Sequence, residues 1–434
     1  MAIIFTFGLL LYYWLVLRRH SKSGSTLAAL LWFLYLALGL SGVFIEITDG
    51  IKPVFEPNYL AVLLLLACIM LSISGFLRFR TQNIRQIFGV IRGQRIIEFL
   101  LIASQLCAMI YFLPFAISSL AGDVNQNRLL LDEKMEIFSS YGLLNTAAGA
   151  ASQLFSSSLV LAFIRLASKE NQGRSVFRAL LLVFSSLSFV VYILAYVGRD
   201  GVVYWLMTAA MIFMVFRGHL APADRKKITL LGFFGAIILL IPFGIITISR
   251  FFDLTQDGGW SPFEYFGAQI HNFSDYSSME RPLTFGLSSF PMFFNAGCTV
   301  LGLTCPSWLD IKESIFPLYL SQDKEPWLFG TFVSDLAGDF GSWGALLLIF
   351  AFSVLCNYVI TGWRFVHSLS LSRLLLVFFL FLIPYWGVFY FRFSISNVYI
   401  IVNIAFIGFV AILHRLLLLP SKISNPSDNG VGNV

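Results

Sequence analysis

Charge is scarce in this chain. Only 12% of its 434 residues are Asp, Glu, Lys or Arg, against about 25% in a soluble domain. Hydrophobic residues make up 58%, and the mean hydropathy is +0.82. A water-soluble fold of this composition would expose large apolar patches, which excludes a soluble domain and leaves lipid as the fitting solvent. Cysteine is scarce as well, at five residues, and no Cys/His cluster has metal-ligand spacing. No internal repeat is apparent, which counts against inverted-repeat transporters. No basic stretch precedes the first apolar window, 3–17, and Arg18, Arg19 and Lys22 follow it. It therefore reads as a first span rather than a cleaved leader.

What is present is a series of apolar windows, each near the roughly 20 residues that cross about 30 Å of hydrocarbon. Eleven spans are expected, at about 2–17, 26–46, 59–77, 96–120, 146–167, 177–197, 202–216, 228–251, 341–362, 373–391 and 398–416. They should be helices, because lipid offers no partner to an unpaired backbone group. The expected class is all-α: one polytopic membrane domain over 1–419, with a short tail at 420–434. The net charge of +6 does not point to nucleic acid, because the basic residues fall in short loops. With the N-terminus outside and the C-terminus cytoplasmic, 20 of the 29 Lys and Arg residues lie inside and 19 of the 23 acids outside. That alternation follows the positive-inside rule.

Two outer segments stand apart. Residues 121–145 suggest an amphipathic helix lying on the membrane. Residues 252–340 form one long outer loop, and loops of that length are usually functional. Within it, 282–309 holds no charge but is broken by Pro282, Gly286, Pro291, Gly297 and Gly302. It is read as a re-entrant or interfacial element rather than a twelfth span. Cys298 and Cys305 lie in this loop and pair if it faces an oxidising periplasm. Cys68, Cys107 and Cys356 lie in spans, as small apolar residues.

Outer-face arginines oppose the positive-inside bias, and Arg199, Arg250, Arg281 and Arg392 all sit there beside the membrane. Guanidinium groups bind phosphate in bidentate fashion and keep their charge when partly desolvated. The four read together as a diphosphate-binding set, whereas each alone reads better as snorkelling or locally paired, Arg199 with Asp200 for example. His271 is the one outer histidine and suits a general base, although a lone loop histidine is ordinary surface. Asp275, Glu280, Asp335 and Asp339 are further candidate bases. For Asp339, in Asp339-Phe340-Gly341, helix N-capping is an equal alternative. Outer aromatics such as Trp260, Phe273, Tyr276 and Phe290 suit sugar stacking or simply the membrane interface.

This layout resembles the Wzy-type repeat-unit polymerases within the O-antigen polymerase and ligase group. The shared features are ten or more spans, the turn Gly198-Arg199-Asp200-Gly201 opening a mid-chain span, one dominant late periplasmic loop, and Asp339-Phe340-Gly341 leading into the next span. The resemblance covers roughly 100–415. It implies a GT-C-like glycosyltransferase of the bacterial inner membrane with its active face in the periplasm, building a surface polysaccharide such as lipopolysaccharide O-antigen. Donor and acceptor would be undecaprenyl-diphosphate-linked oligosaccharides, with a chain-length regulator as a possible partner. Arg199, His271, Asp275 and Asp339 would act in catalysis. With no Asp-X-Asp motif, no metal and no cofactor are expected. The alternatives are a ligase moving the glycan to another acceptor, or a flippase.

Overall fold

A computed structural model describes residues 1–21, 25–48, 58–82, 84, 93–121, 142–168, 172–198, 200–254, 266–279, 282–303, 314–315, 317–322, 330–362, 370–394 and 397–418, by backbone alone at 21, 121, 172–175, 242, 245–254, 394 and 417–418. Among them 86% are helical and none lies in a strand, so the class is all-α. The helices are α1 (Ala2–Tyr12, continued to Ser21 through a π-helical turn), α2 (Thr26–Thr48), α3 (Tyr59–Ser74), α4 (Gln94–Ala121), α5 (Gly142–Ser152), α6 (Phe155–Ala167), α7 (Gln172–Ser186), α8 (Ser188–Ala195), α9 (Asp200–Phe216), α10 (Pro222–Leu254), α11 (Gln269–Ser277), α12 (Pro291–Leu301), α13 (Thr331–Thr361), α14 (Leu371–Trp386) and α15 (Asn397–Leu418).

Among the described residues eight helical stretches are long and apolar enough to cross a membrane: Ala2–His20, Thr26–Thr48, Gln94–Leu120, Gly142–Ala167, Val176–Ala195, Asp200–His219, Thr331–Thr361 and Asn397–Leu416. This is the architecture of a polytopic membrane protein. The other three expected spans are also helical. α3 and α14 are shorter than the eight, at 16 residues each, and α10 runs for 33. α10 carries Leu230, Leu231, Phe233, Phe234, Ile237, Ile238 and Ile241 exposed, which only lipid or a partner in lipid tolerates. Two expected spans are interrupted, at 153–154 between α5 and α6 and at Leu187 between α7 and α8.

Hydrogen bonds sort the helix ends into two sets. At one end Ser25 donates to the Phe76 carbonyl at 3.2 Å, His219 meets the Thr81 carbonyl at 3.0 Å and Arg373 donates to the Val359 carbonyl. Arg165 clasps Glu98 there with two bonds, at 2.6 and 3.1 Å. At the other end Asn58 meets Ser274, Ser119 meets the Ala195 carbonyl, Asn145 meets Tyr196, and Thr331 meets the Phe389 carbonyl. Arg165, His219 and Arg373 thus fall together at the first end. Between the ends, Trp386 stacks with Phe155, Phe189 and Phe393 and donates its indole N–H to Thr208 at 3.1 Å.

The charge-free segment 282–309 holds α12, of 11 residues. At 1.5 Å per residue that is about 16 Å, half of a crossing. Gly302 ends it at φ 67°, with Gly302 and Leu303 donating back to the Thr299 and Cys298 carbonyls. This is the paired closure that a left-handed glycine permits. Cys298 is disulfide-bonded, while Cys68, Cys107 and Cys356 are free. Cys305, the 121–145 expectation except for its helical last four residues, and the 420–434 tail lie outside the described residues.

Candidate functional site

Among the described residues, Asp335, Asp339, the turn bearing Arg392 and the helix bearing His271 and Asp275 lie around one element, the first third of α13. That helix begins at Thr331, ten residues before the expected span. Gly341 breaks its helical path with φ 73° and ψ 162°, a region essentially restricted to glycine. Asp339 accordingly does not open a helix as an N-cap. It sits just before the break, fully buried. Its carboxylate accepts the Thr284 hydroxyl and the backbone N–H groups of Ser288 and Ser289, the latter two at 3.2 and 2.7 Å. Its own carbonyl takes the Phe285 N–H at 2.9 Å. Asp339 thus binds the 282–290 turn to α13.

One helical turn earlier, Asp335 is half-buried and accepts the Phe391 N–H at 2.5 Å. The 387–394 turn also returns carbonyls from Gly387 and Phe389 to the N–H groups of Phe332 and Thr331. Asn397 ties the two turns together, receiving from Met292 N–H and donating to the Ser289 carbonyl. Phe290 packs edge-on against Phe391 at 5.4 Å.

Arg392 lies in this second turn. Its Nε is 3.2 Å from Asp200 Oδ2, the same oxygen that accepts the Tyr390 hydroxyl at 3.1 Å. The guanidinium stands 5.8 Å from the Tyr204 ring centre. Burial is the largest single influence and works against its charge, but Asp200, Tyr390, Tyr204 and Tyr192 together outweigh it and hold the group further toward the charged form than an ordinary arginine. The turn opening α9 is tight for a visible reason: a Cβ on Gly198 or Gly201 would come within 2.6 Å of Ile193. Asp200 is therefore held close to α8, and Arg392 with it. Arg199 and Arg281 lie outside the described residues. Arg250 falls in the last turns of α10, described by backbone alone.

His271 and Asp275 lie on α11, both buried. His271 Nε2 is 3.0 Å from Glu46 Oε1 at the end of α2, and that oxygen also accepts the Ala2 N–H at 2.7 Å. Burial lowers the His271 pKa below the ordinary histidine value, with Glu46 offsetting part of the effect. Gly267 lets α11 approach closely, since a Cβ there would be 2.6 Å from the α2 backbone. On the opposite side, α11 and α13 enclose an open cleft of about 120 Å³, lined by Phe273, Tyr276, Ser277, Met279, Leu283, Ser334, Ala337, Gly341 and Ser342. The helical repeat puts His271 and Asp275 on the face turned away from this cleft.

The structure thus brings together Asp335, Asp339, Arg392 and α11, with His271 turned toward α2. Sequence reasoning passed over Glu46, Asp200 as the partner of Arg392, and Tyr390. The available signal was the same in each case, a polar residue at the outer end of an apolar helix. Among the described residues no group of three or more His, Cys, Asp or Glu is placed to hold a metal ion. No family model, curated protein or solved structure matches this chain, so the site alone carries the functional argument.

Proposed function

We propose that the protein polymerises undecaprenyl-diphosphate-linked oligosaccharide repeat units into a bacterial surface polysaccharide at the outer face of the plasma membrane. The observation that carries this reading is the bridge from Arg392 through Asp200 to the turn that bears Arg199 in the chain. Two arginine-bearing turns meet at one end of the bundle, beside a half-buried carboxylate and an open cleft. An anion bound there sits at membrane level, where a lipid diphosphate presents itself. The disulfide at Cys298 supports an oxidising compartment on that side, in keeping with the loop charges.

In the reaction, a hydroxyl of the acceptor repeat unit attacks the anomeric carbon of the donor glycan. The bond from that carbon to the diphosphate oxygen breaks, and the lipid diphosphate leaves. Arg199 and Arg392 stabilise the negative charge that grows on the leaving oxygen, an electrostatic contribution of the kind that usually dominates. The hydroxyl proton passes to Asp335, which adjoins both the cleft wall at Ser334 and the turn carrying Arg392. Asp339 positions the 282–290 turn. His271, held neutral and joined to Glu46, positions α11.

The test is deletion of the gene in its native host, followed by gel analysis of surface polysaccharide. Complementation with wild type should restore long chains. Complementation with Arg199→Ala or Asp335→Asn, at equal protein levels, should leave single repeat units at the surface. Loss of all surface glycan, with lipid-linked units trapped inside, would point to a flippase instead.

A further inference from the structure

Among the described residues, the fully buried side chain of Gln269 has no hydrogen-bond partner at either its amide oxygen or its amide nitrogen. Buried amides are ordinarily paired, because an unpaired donor or acceptor forfeits its hydration with no return. Gln269 is the first residue of α11, and Phe273 and Tyr276 follow at i+4 and i+7. This spacing puts the three on one face of the helix. Phe273 and Tyr276 line the open cleft against α13, so Gln269 lies one turn deeper on the cleft-lining face. His271, two residues on, points the other way, to Glu46.

Resting on the polymerase reading, we propose that this cleft is a saccharide subsite, with Gln269 at its inner end as the group that reads a sugar's hydroxyls. Among the described residues the lining carries no charged side chain, which suits a neutral sugar better than a diphosphate, and the diphosphate belongs with Arg392. Its groups are three serine hydroxyls, from Ser277, Ser334 and Ser342, and two aromatic rings, from Phe273 and Tyr276. Hydroxyls and an amide pair with the hydroxyls of a neutral sugar, while aromatic faces take its C–H surface. If a water needs about 10–15 Å³, the cleft holds on the order of ten non-hydrogen atoms, about one hexose ring. A polyprenyl chain would find those hydroxyls unsatisfied. The polar lining and the unpaired amide favour the glycan over the lipid as occupant.

The experiment uses full-length protein in nanodiscs with Cys68→Ala, Cys107→Ser and Cys356→Ala, and Ser277→Cys as a reporter at the cleft. Maleimide labelling of the reporter is followed alone, with undecaprenyl diphosphate, and with lipid-linked oligosaccharide extracted from the host. The glycan-bearing lipid should slow labelling at least fivefold and the bare lipid diphosphate should not. Adding Gln269→Leu should abolish the protection while raising the melting temperature, because an unpaired buried amide is replaced by an apolar group of similar size. Equal protection by both lipids, protection by neither, or protection that survives Gln269→Leu would overturn the subsite. Polymer formation from the same lipid-linked oligosaccharide, measured in parallel on the wild type, tests the polymerase reading separately from the labelling.

Discussion

At the scale of single residues, the site depends on charges held where water is scarce. Asp200 is about one-third exposed, while Arg392 is largely buried. Replacing Asp200 with Asn leaves that guanidinium without its countercharge, and a loss of about 1–3 kcal/mol is expected. Thermal unfolding in detergent checks this, and Asp200→Asn combined with Arg392→Gln should recover part of the loss. For His271 the folded pKa lies below the ordinary value of about 6.5, because burial disfavours the imidazolium. The folded state then binds fewer protons than the unfolded chain as pH falls below 6.5, so stability declines with acidification in that window. A series of melting temperatures from pH 7.5 to 5 should show the decline, and His271→Gln should flatten it. An unchanged slope in that variant would remove His271 from the account.

Elements decide where those residues meet. α13 can serve two turns at once because Gly341 changes its direction just past Asp339, leaving Asp335 for the 387–394 turn and Asp339 for the 282–290 turn. A Cβ at Gly341 would meet no atom closer than 3.7 Å, so Gly341→Ala tests backbone conformation without a packing clash. The expected cost is about 1–3 kcal/mol, read by chemical or thermal unfolding. On the proposed function, polymer formation should fall further than stability does, since the α13 segment that carries Asp335 and the turn that carries Arg392 shift with the kink. Asp339→Asn acts through the same element from the other side. One of its carboxylate oxygens becomes an NH2 facing N–H donors, and faster proteolysis within 282–303 at native pH is the expected readout.

For the whole molecule, alternation is the organising fact. Successive crossings return the chain to the opposite end, so on the expected orientation 19 of the 23 acids fall at one end and 20 of the 29 Lys and Arg residues at the other. Ser321 and Arg217 are both exposed, the first in the long outer loop and the second just after α9. In a background lacking Cys107, membrane-impermeant maleimide should label Ser321→Cys in intact spheroplasts, and Arg217→Cys only after the membrane is opened. The reverse pattern would invert the proposed orientation and separate the site from a periplasmic substrate.

Class, helix positions and the separation of charge were legible from the chain itself, because hydropathy over a 20-residue window and Lys/Arg counts in loops are local quantities that lipid imposes directly. The same local reasoning drew attention to the Gly198–Gly201 turn, to Arg392 and to Asp339. It could not decide whether Arg392 binds Asp200, whether His271 faces Glu46 or a cleft, or whether Asp339 caps a helix or fastens a turn. Those outcomes depend on which of several outer segments pack together across gaps of 55 to 225 residues. Tertiary structure alone decides that, because side chains far apart in sequence find partners only after the helices have packed.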